Sequence, residues 1–103
     1  MALKIYQVSR EYPREERYGL VSQIQRAAVS IPLNIAEGYG KHDTASEFKR
    51  YLRMALGSTN EVIVLLDFSR DLEYLNEQDT KNLQEQYSVL AKRLYKLEGN
   101  WKK

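Results

Sequence analysis

The chain has no cysteine, a single histidine, two prolines and five glycines in 103 residues. Without cysteine there is no disulfide framework, no thiolate metal ligation and no cysteine nucleophile. One histidine, His42, cannot build a multi-histidine metal site, and no glutamate has a histidine three residues later, as di-iron bundle sites require. No metal or other cofactor is called for. The shortage of proline and glycine argues against an all-β chain with many tight turns. No apolar run approaches the roughly 18 residues of a membrane span. The stretch Met1 to Pro13 lacks the apolar core and cleavage site of a signal peptide, so a cytoplasmic location is expected. The serines lack the strand–turn–helix setting of a nucleophile elbow. Glu37-Gly38-Tyr39-Gly40-Lys41 follows a helical pattern rather than a strand and lacks the Gly-Lys-Ser/Thr ending, so it reads as a helix end, not a phosphate loop. No catalytic residue emerges, and a non-enzymatic protein is expected.

What is present is helical periodicity. With 43% hydrophobic and 29% charged residues, the composition is that of a folded chain. Residues 1–103 are expected to form one domain. Ile5, Val8 and Tyr12 make one stripe in a short first segment, about Leu3 to Tyr12, that Pro13 interrupts. Leu20, Ile24, Ala27, Ile31 and Ile35 step by three and four through a second segment, about Glu15 to Gly38. Pro32 lies inside it and predicts a kink or break, with Ser30 and Asn34 placed to satisfy freed backbone groups. Gly38 and Gly40 predict a left-handed helix end. Thr44 and Glu47 form a capping box for a third, long segment, with Phe48, Leu52, Ala55, Leu56, Val62, Ile63 and Leu66 on its stripe. The small residues Gly57 and Ser58 in its middle allow close helix approach or a bend. Asn76 or Asp79 can cap the last segment. There, Leu83, Tyr87, Leu90, Leu94, Leu97 and Trp101 alternate by four and three, a heptad seam. The expectation is an all-α, antiparallel up-and-down four-helix bundle with a short first helix. Eight tyrosines and one tryptophan are many for such a core, and some are expected at a subunit interface.

Charge is segregated along the chain. The net charge is only +2, from 16 basic and 14 acidic residues. Yet residues 92–103 carry Lys92, Arg93, Lys96, Lys102 and Lys103 against Glu98 alone, while residues 61–85 carry seven acids against Arg70 and Lys81. A second basic group is Lys41, Lys49, Arg50 and Arg53. Solvated helix faces account for such a pattern, and so do phosphate contacts. Asn34 and Glu37 share a face beside the apolar stripe, as Glu47 and Arg50 do on the third segment. A polar network across the corner between these helices, with Asn34 or Glu37 bonded to Arg50 or to the opening turn of the third helix, is expected.

The string Gln23-Ile24-Gln25-Arg26-Ala27-Ala28-Val29-Ser30-Ile31-Pro32-Leu33-Asn34-Ile35-Ala36-Glu37-Gly38 resembles the bacterial four helix bundle protein family, also called the 23S ribosomal RNA intervening-sequence protein family. The resemblance continues in Glu47-Phe48-x-Arg50-Tyr51-Leu52, in Ala55-Leu56-Gly57-Ser58-Thr59-Asn60-Glu61 and upstream in Tyr12-Pro13-Arg14-Glu15-Glu16-Arg17-Tyr18-Gly19-Leu20. It implies an antiparallel four-helix bundle that assembles as a homo-oligomer, typically a ring of five, with no defined catalytic residue. Some members are encoded inside segments inserted into ribosomal RNA genes. The chain is more distantly similar to the accessory protein of diversity-generating retroelements, a basic pentamer that binds nucleic acid and a reverse transcriptase. Pro32, Asn34, Glu37, Glu47, Asn60 and Glu61 carry over as the family signature, in a structural or functional role. Relatives carry a longer first helix, and Met1 falls inside it here, so open apolar surface is expected on the other helices. The resulting expectation is a homo-oligomer that binds RNA through Lys41, Lys49, Arg50, Arg53, Lys92, Arg93, Lys96, Lys102 and Lys103. The alternative is an oligomeric scaffold that docks a protein partner and has no nucleic-acid role.

Overall fold

Each stripe of apolar residues spaced by three and four can be buried only if its segment coils into a helix and lays that stripe on a neighbour. The computed structural model describes residues 1–40 and 44–101. It contains α1 (Ala2–Ser9), a 3-10 turn (Arg14–Glu16), α2 (Leu20–Gly40), α3 (Ala45–Asp71) and α4 (Glu77–Asn100). The architecture is an all-α four-helix bundle. Helix α3 lies between α2 and α4 and packs on both, while α1 packs on α2. Ser30 of α2 bonds Ser58 of α3, whereas Gly38, later in α2, faces Tyr51, earlier in α3. Likewise Asp67 of α3 meets Gln84 of α4, and Arg53 meets Glu98. Both pairs of helices therefore run in opposite directions.

The ends of the helices follow local chemistry. The Thr44 hydroxyl accepts from the Glu47 amide at 3.2 Å, and Asn76 Oδ1 accepts from the Asp79 amide at 2.7 Å. Each quenches one orphan donor of a first turn. Helix α2 opens at Leu20, later than the pattern suggests. Pro13 and the 3-10 turn occupy the intervening residues, and Glu16 caps the helix by accepting from the Leu20 amide at 3.3 Å. The other carboxylate oxygen of Glu16 accepts from the Tyr74 hydroxyl at 2.8 Å, which ties this turn to the chain just beyond α3. Helix α1 stops at Ser9, short of Tyr12. Tyr12 is buried all the same, its ring 5.4 Å from that of Tyr74.

Of the kink or break expected at Pro32, the break does not occur, since α2 runs on through it to Gly40. Around the proline the Ser30 hydroxyl donates to the Ala27 carbonyl and the Asn34 carboxamide to the Ser30 carbonyl, both at 2.8 Å. Nor does glycine end α2 in a left-handed turn: among the described residues no glycine has positive φ. Gly38 is buried inside the helix, and a Cβ there would stand 2.6 Å from Tyr51 Cβ. Its role is close approach of α2 to α3.

The residue that does take the left-handed conformation is Glu73, at φ 66°. Its amide bonds the Arg70 carbonyl and that of Tyr74 bonds the Ser69 carbonyl, both at 2.9 Å. This is a Schellman ending for α3, built without glycine.

The stripes meet in one connected core that includes Ile5, Ile24, Ile31, Leu52, Val62, Leu66, Leu83, Tyr87 and Leu94. Each such residue contributes roughly 1.5–3 kcal/mol when fully buried. Ala27, Ala28 and Ala55 keep α2 and α3 close, and the Ser30 and Ser58 hydroxyls meet at 2.6 Å between them. Buried Thr59, Ser69 and Thr80 donate to carbonyls of the preceding turn, so their hydroxyls are satisfied. The heptad seam of α4 is buried at Leu83, Tyr87 and Leu94, but Leu97 is 41% exposed. The 27 residues of α3 set the 45 Å length of the molecule.

Candidate nucleic-acid interface

Because α3 and α4 run in opposite directions, the start of α3 and the end of α4 lie side by side. Phe48 and Trp101 meet edge-to-face there, ring centroids 4.5 Å apart. Two basic groups far apart in sequence thus share one end of the bundle. Lys41, Lys102 and Lys103 lie outside the described residues, as does His42.

The remaining cations are not equivalent. Arg53 is bound to Glu98 at 2.9 Å. Arg50 pairs with Glu47 at 3.1 Å, and its guanidinium sits 4.7 Å above the Tyr51 ring. Its hydrogen bond to Glu47, reinforced by that carboxylate's charge, pushes the Arg50 pKa further above the ordinary arginine range. Lys49 is half-buried. Lys92, Arg93 and Lys96 are exposed and have no ion-pair partner among the described residues. Among the described candidates, the exposed cations outside any ion pair are these three of α4.

Lys92 and Lys96 line a groove of about 700 Å³ between α4 and α3, together with Leu56, Asn60, Tyr95 and Asn100. Arg93 is not part of it. None of the described residues lining the groove carries a carboxylate. The Tyr95 ring is 62% exposed. Lysines for phosphates, an open aromatic face and two carboxamides make up the chemistry that single-stranded nucleic acid uses. Signature residue Asn60 falls here. Tyr95 and Asn100 escaped the reading of charge alone. The signal for Tyr95 was available: it stands between Leu94 and Lys96, off the seam, an aromatic on a polar helix face.

The other signature residues scatter. Pro32 lines an apolar cleft of about 220 Å³ with Ile31, Ile35, Tyr87 and Leu90 beside Met1 and Ala2 at the start of α1. The Tyr87 hydroxyl is buried with no hydrogen-bond partner among the described residues, and burial pushes its pKa up to about 12. Glu37 is exposed in the last turn of α2, and Glu61 is half-buried on α3. Of the bonds expected across this corner, from Asn34 or Glu37 to Arg50 or the opening turn of α3, the one between Asn34 and Arg50 does not form. Asn34 turns back onto its own helix and Arg50 takes Glu47, one turn away. Gly38 brings the two backbones so close that this corner is filled by the Tyr51 and Phe48 side chains instead.

The model of the 23S rRNA-intervening sequence protein family matches residues 1–96. The chain belongs to this family. The match takes in α1, α2, α3 and most of α4, and so includes Asn60, Lys92, Tyr95 and Lys96. A comparison with curated proteins gives no match. Among the described residues of this family member no three His, Cys, Asp or Glu side chains gather as a metal site would need. No described helix is long and apolar enough to cross a membrane.

Proposed function

We propose that this member of the 23S rRNA-intervening sequence protein family is a non-enzymatic, homo-oligomeric cytoplasmic protein that associates with RNA. Lys92 and Lys96 contact phosphates of an unpaired stretch, and Tyr95 stacks a base between them. The observation that carries this reading is the groove itself: among the described residues, two lysines without an ion pair flank an open tyrosine, and no acid is in the lining. The family's description, which names ribosomal RNA, points the same way. Self-association is supported by the outer side of α3, where Met54, Val64 and Phe68 are 44–56% exposed and follow helical spacing, with Leu72 just beyond. A second copy would cover them and repeat the basic groove around the assembly.

The test is filter binding to single-stranded and duplex RNA across a salt series, with mass measured by light scattering. Replacing Lys92 and Lys96 by alanine should flatten the salt slope by about 1.4 on single strands. Tyr95→Ala should weaken single-strand binding by about 5-fold or more without changing that slope, and Tyr95→Phe should not. An oligomer with no RNA affinity at low salt refutes the proposal. It would favour the scaffold reading, with the apolar side of α3 docking a protein.

A further inference from the structure

A second basic concavity lies at the opposite end of the bundle, where the chain leaves α1 and enters α2. It is a cleft of about 470 Å³ whose lining includes Arg10, Arg14, Arg17, Tyr6, Pro13 and Gln25. The three arginines follow helical spacing in sequence, but no single helix carries them. The turn after Ser9 and the 3-10 turn at Arg14–Glu16 fold them onto one cavity. All three are exposed and have no ion-pair partner among the described residues. The acids of this segment do not neutralise them. Glu16 is turned away to the Leu20 amide and the Tyr74 hydroxyl, and neither Glu11 nor Glu15 lines the cleft. The floor is a fixed polar pair: buried Ser9, whose hydroxyl accepts from Gln25 Nε2 at 2.9 Å.

We propose that this cleft binds a ligand the size of a nucleoside monophosphate, with Arg10, Arg14 and Arg17 on its phosphate. Guanidinium forks match phosphate oxygens two at a time, which suits them to this group. Inorganic phosphate alone would leave most of the cavity empty. Its size falls within the roughly 300–1,000 Å³ range of small-molecule sites, and Tyr6 and Pro13 offer flat apolar surface for a base. The site is separate from the groove at Lys92 and Lys96. The same chemistry reaches it as a free nucleotide or as the phosphorylated end of an RNA.

The test is calorimetric titration of the full chain with AMP, with adenosine, and with one hexanucleotide carrying either a 5′-phosphate or a 5′-hydroxyl. AMP is expected to bind at least about 10-fold more tightly than adenosine. Arg14→Ala and Arg17→Ala should each weaken AMP about 10-fold, with partial recovery in Arg17→Lys. The variant lacking Lys92 and Lys96 should bind AMP unchanged, so the outcome does not depend on the groove. A 5′-phosphorylated hexanucleotide that outbinds both its 5′-hydroxyl form and AMP assigns the site to an RNA end; equal binding of AMP assigns it to the free nucleotide. Circular dichroism of each variant confirms that the fold is kept. Equal binding of AMP and adenosine, no AMP binding at millimolar concentration, or arginine variants that bind like the original chain would overturn the proposal.

Discussion

Replacing Gly38 by alanine adds one methyl group where α2 and α3 come closest. The new Cβ would lie 2.6 Å from Tyr51 Cβ, 3.1 Å from Phe48 Cδ1 and 3.3 Å from Tyr51 Cγ. Carbon atoms prefer about 3.5–4.0 Å, so the helices must separate by about 1 Å. Tyr51 Cβ is bonded to the α3 backbone and no rotamer change moves it away. Overpacking of this kind lies near the upper end of about 1–3 kcal/mol. Alanine recovers about 1 kcal/mol through its better helix propensity. The net loss is about 2 kcal/mol, or about 10 °C in Tm for a domain of this size. Gly57 supplies the control. It is exposed in the middle of α3, and a Cβ there meets nothing within 4 Å. Gly57→Ala should therefore stabilise by about 0.5–1 kcal/mol. Urea unfolding followed by circular dichroism at one protein concentration reads both. If Gly38→Ala is as stabilising as Gly57→Ala, the account of the α2–α3 approach is wrong.

Glu73→Gly should raise stability by about 1 kcal/mol, because it removes the left-handed strain of a non-glycine residue at φ 66° while keeping the Schellman bonds; thermal unfolding checks it. Tyr87→Phe should be neutral or stabilising at pH 7, since the hydroxyl it deletes is buried without a partner among the described residues. The pH dependence has a definite sign. The folded pKa of Tyr87 is raised to about 12 from the ordinary 10, so its contribution is complete below pH 10 and is lost as pH rises through 12. Over that window the original chain should lose about 2–3 kcal/mol that Tyr87→Phe does not lose, measured by urea unfolding at stepped alkaline pH. Glu98→Gln should release Arg53 from its 2.9 Å ion pair and tighten RNA binding in the filter assay, with stability changed by less than about 1 kcal/mol because the pair is on the surface. Unchanged or weaker binding would show that Arg53 does not reach RNA even when freed from Glu98.

The four helices were legible because burial needs a stripe, and stripes at three- and four-residue spacing leave a readable period. The caps at Thr44 and Asn76 were legible because their bonds reach only three residues along the chain. The readings that failed concern the same kind of residue in a different setting. Gly38 resembles a helix end in one dimension and is a contact surface in three, a distinction made by Tyr51 of another helix. Glu73 carries a turn that the reading of glycine positions could not find. Pro32 suggests a kink or a break, and of the two the break does not occur, because α2 packed along α3 continues through it.

The candidate site divides in the same way. Charge segregation alone proposed Lys92, Arg93, Lys96, Lys102 and Lys103 together with Lys41, Lys49, Arg50 and Arg53. The structure shows pairing that charge counting does not, since Glu47 and Glu98 occupy Arg50 and Arg53, and Glu98 lies 45 residues from Arg53 in sequence. Tyr95 joined the lysines once α4 was laid against α3. The cluster of Arg10, Arg14 and Arg17 came from a turn whose path local periodicity does not encode. The sequence by itself determined the helices, the opening caps of α3 and α4 and which faces are apolar, because these depend on neighbours within one or two turns. The tertiary structure decided which charges are spent on one another and which face a cavity, because Coulomb and hydrogen-bond partners are chosen by distance in space.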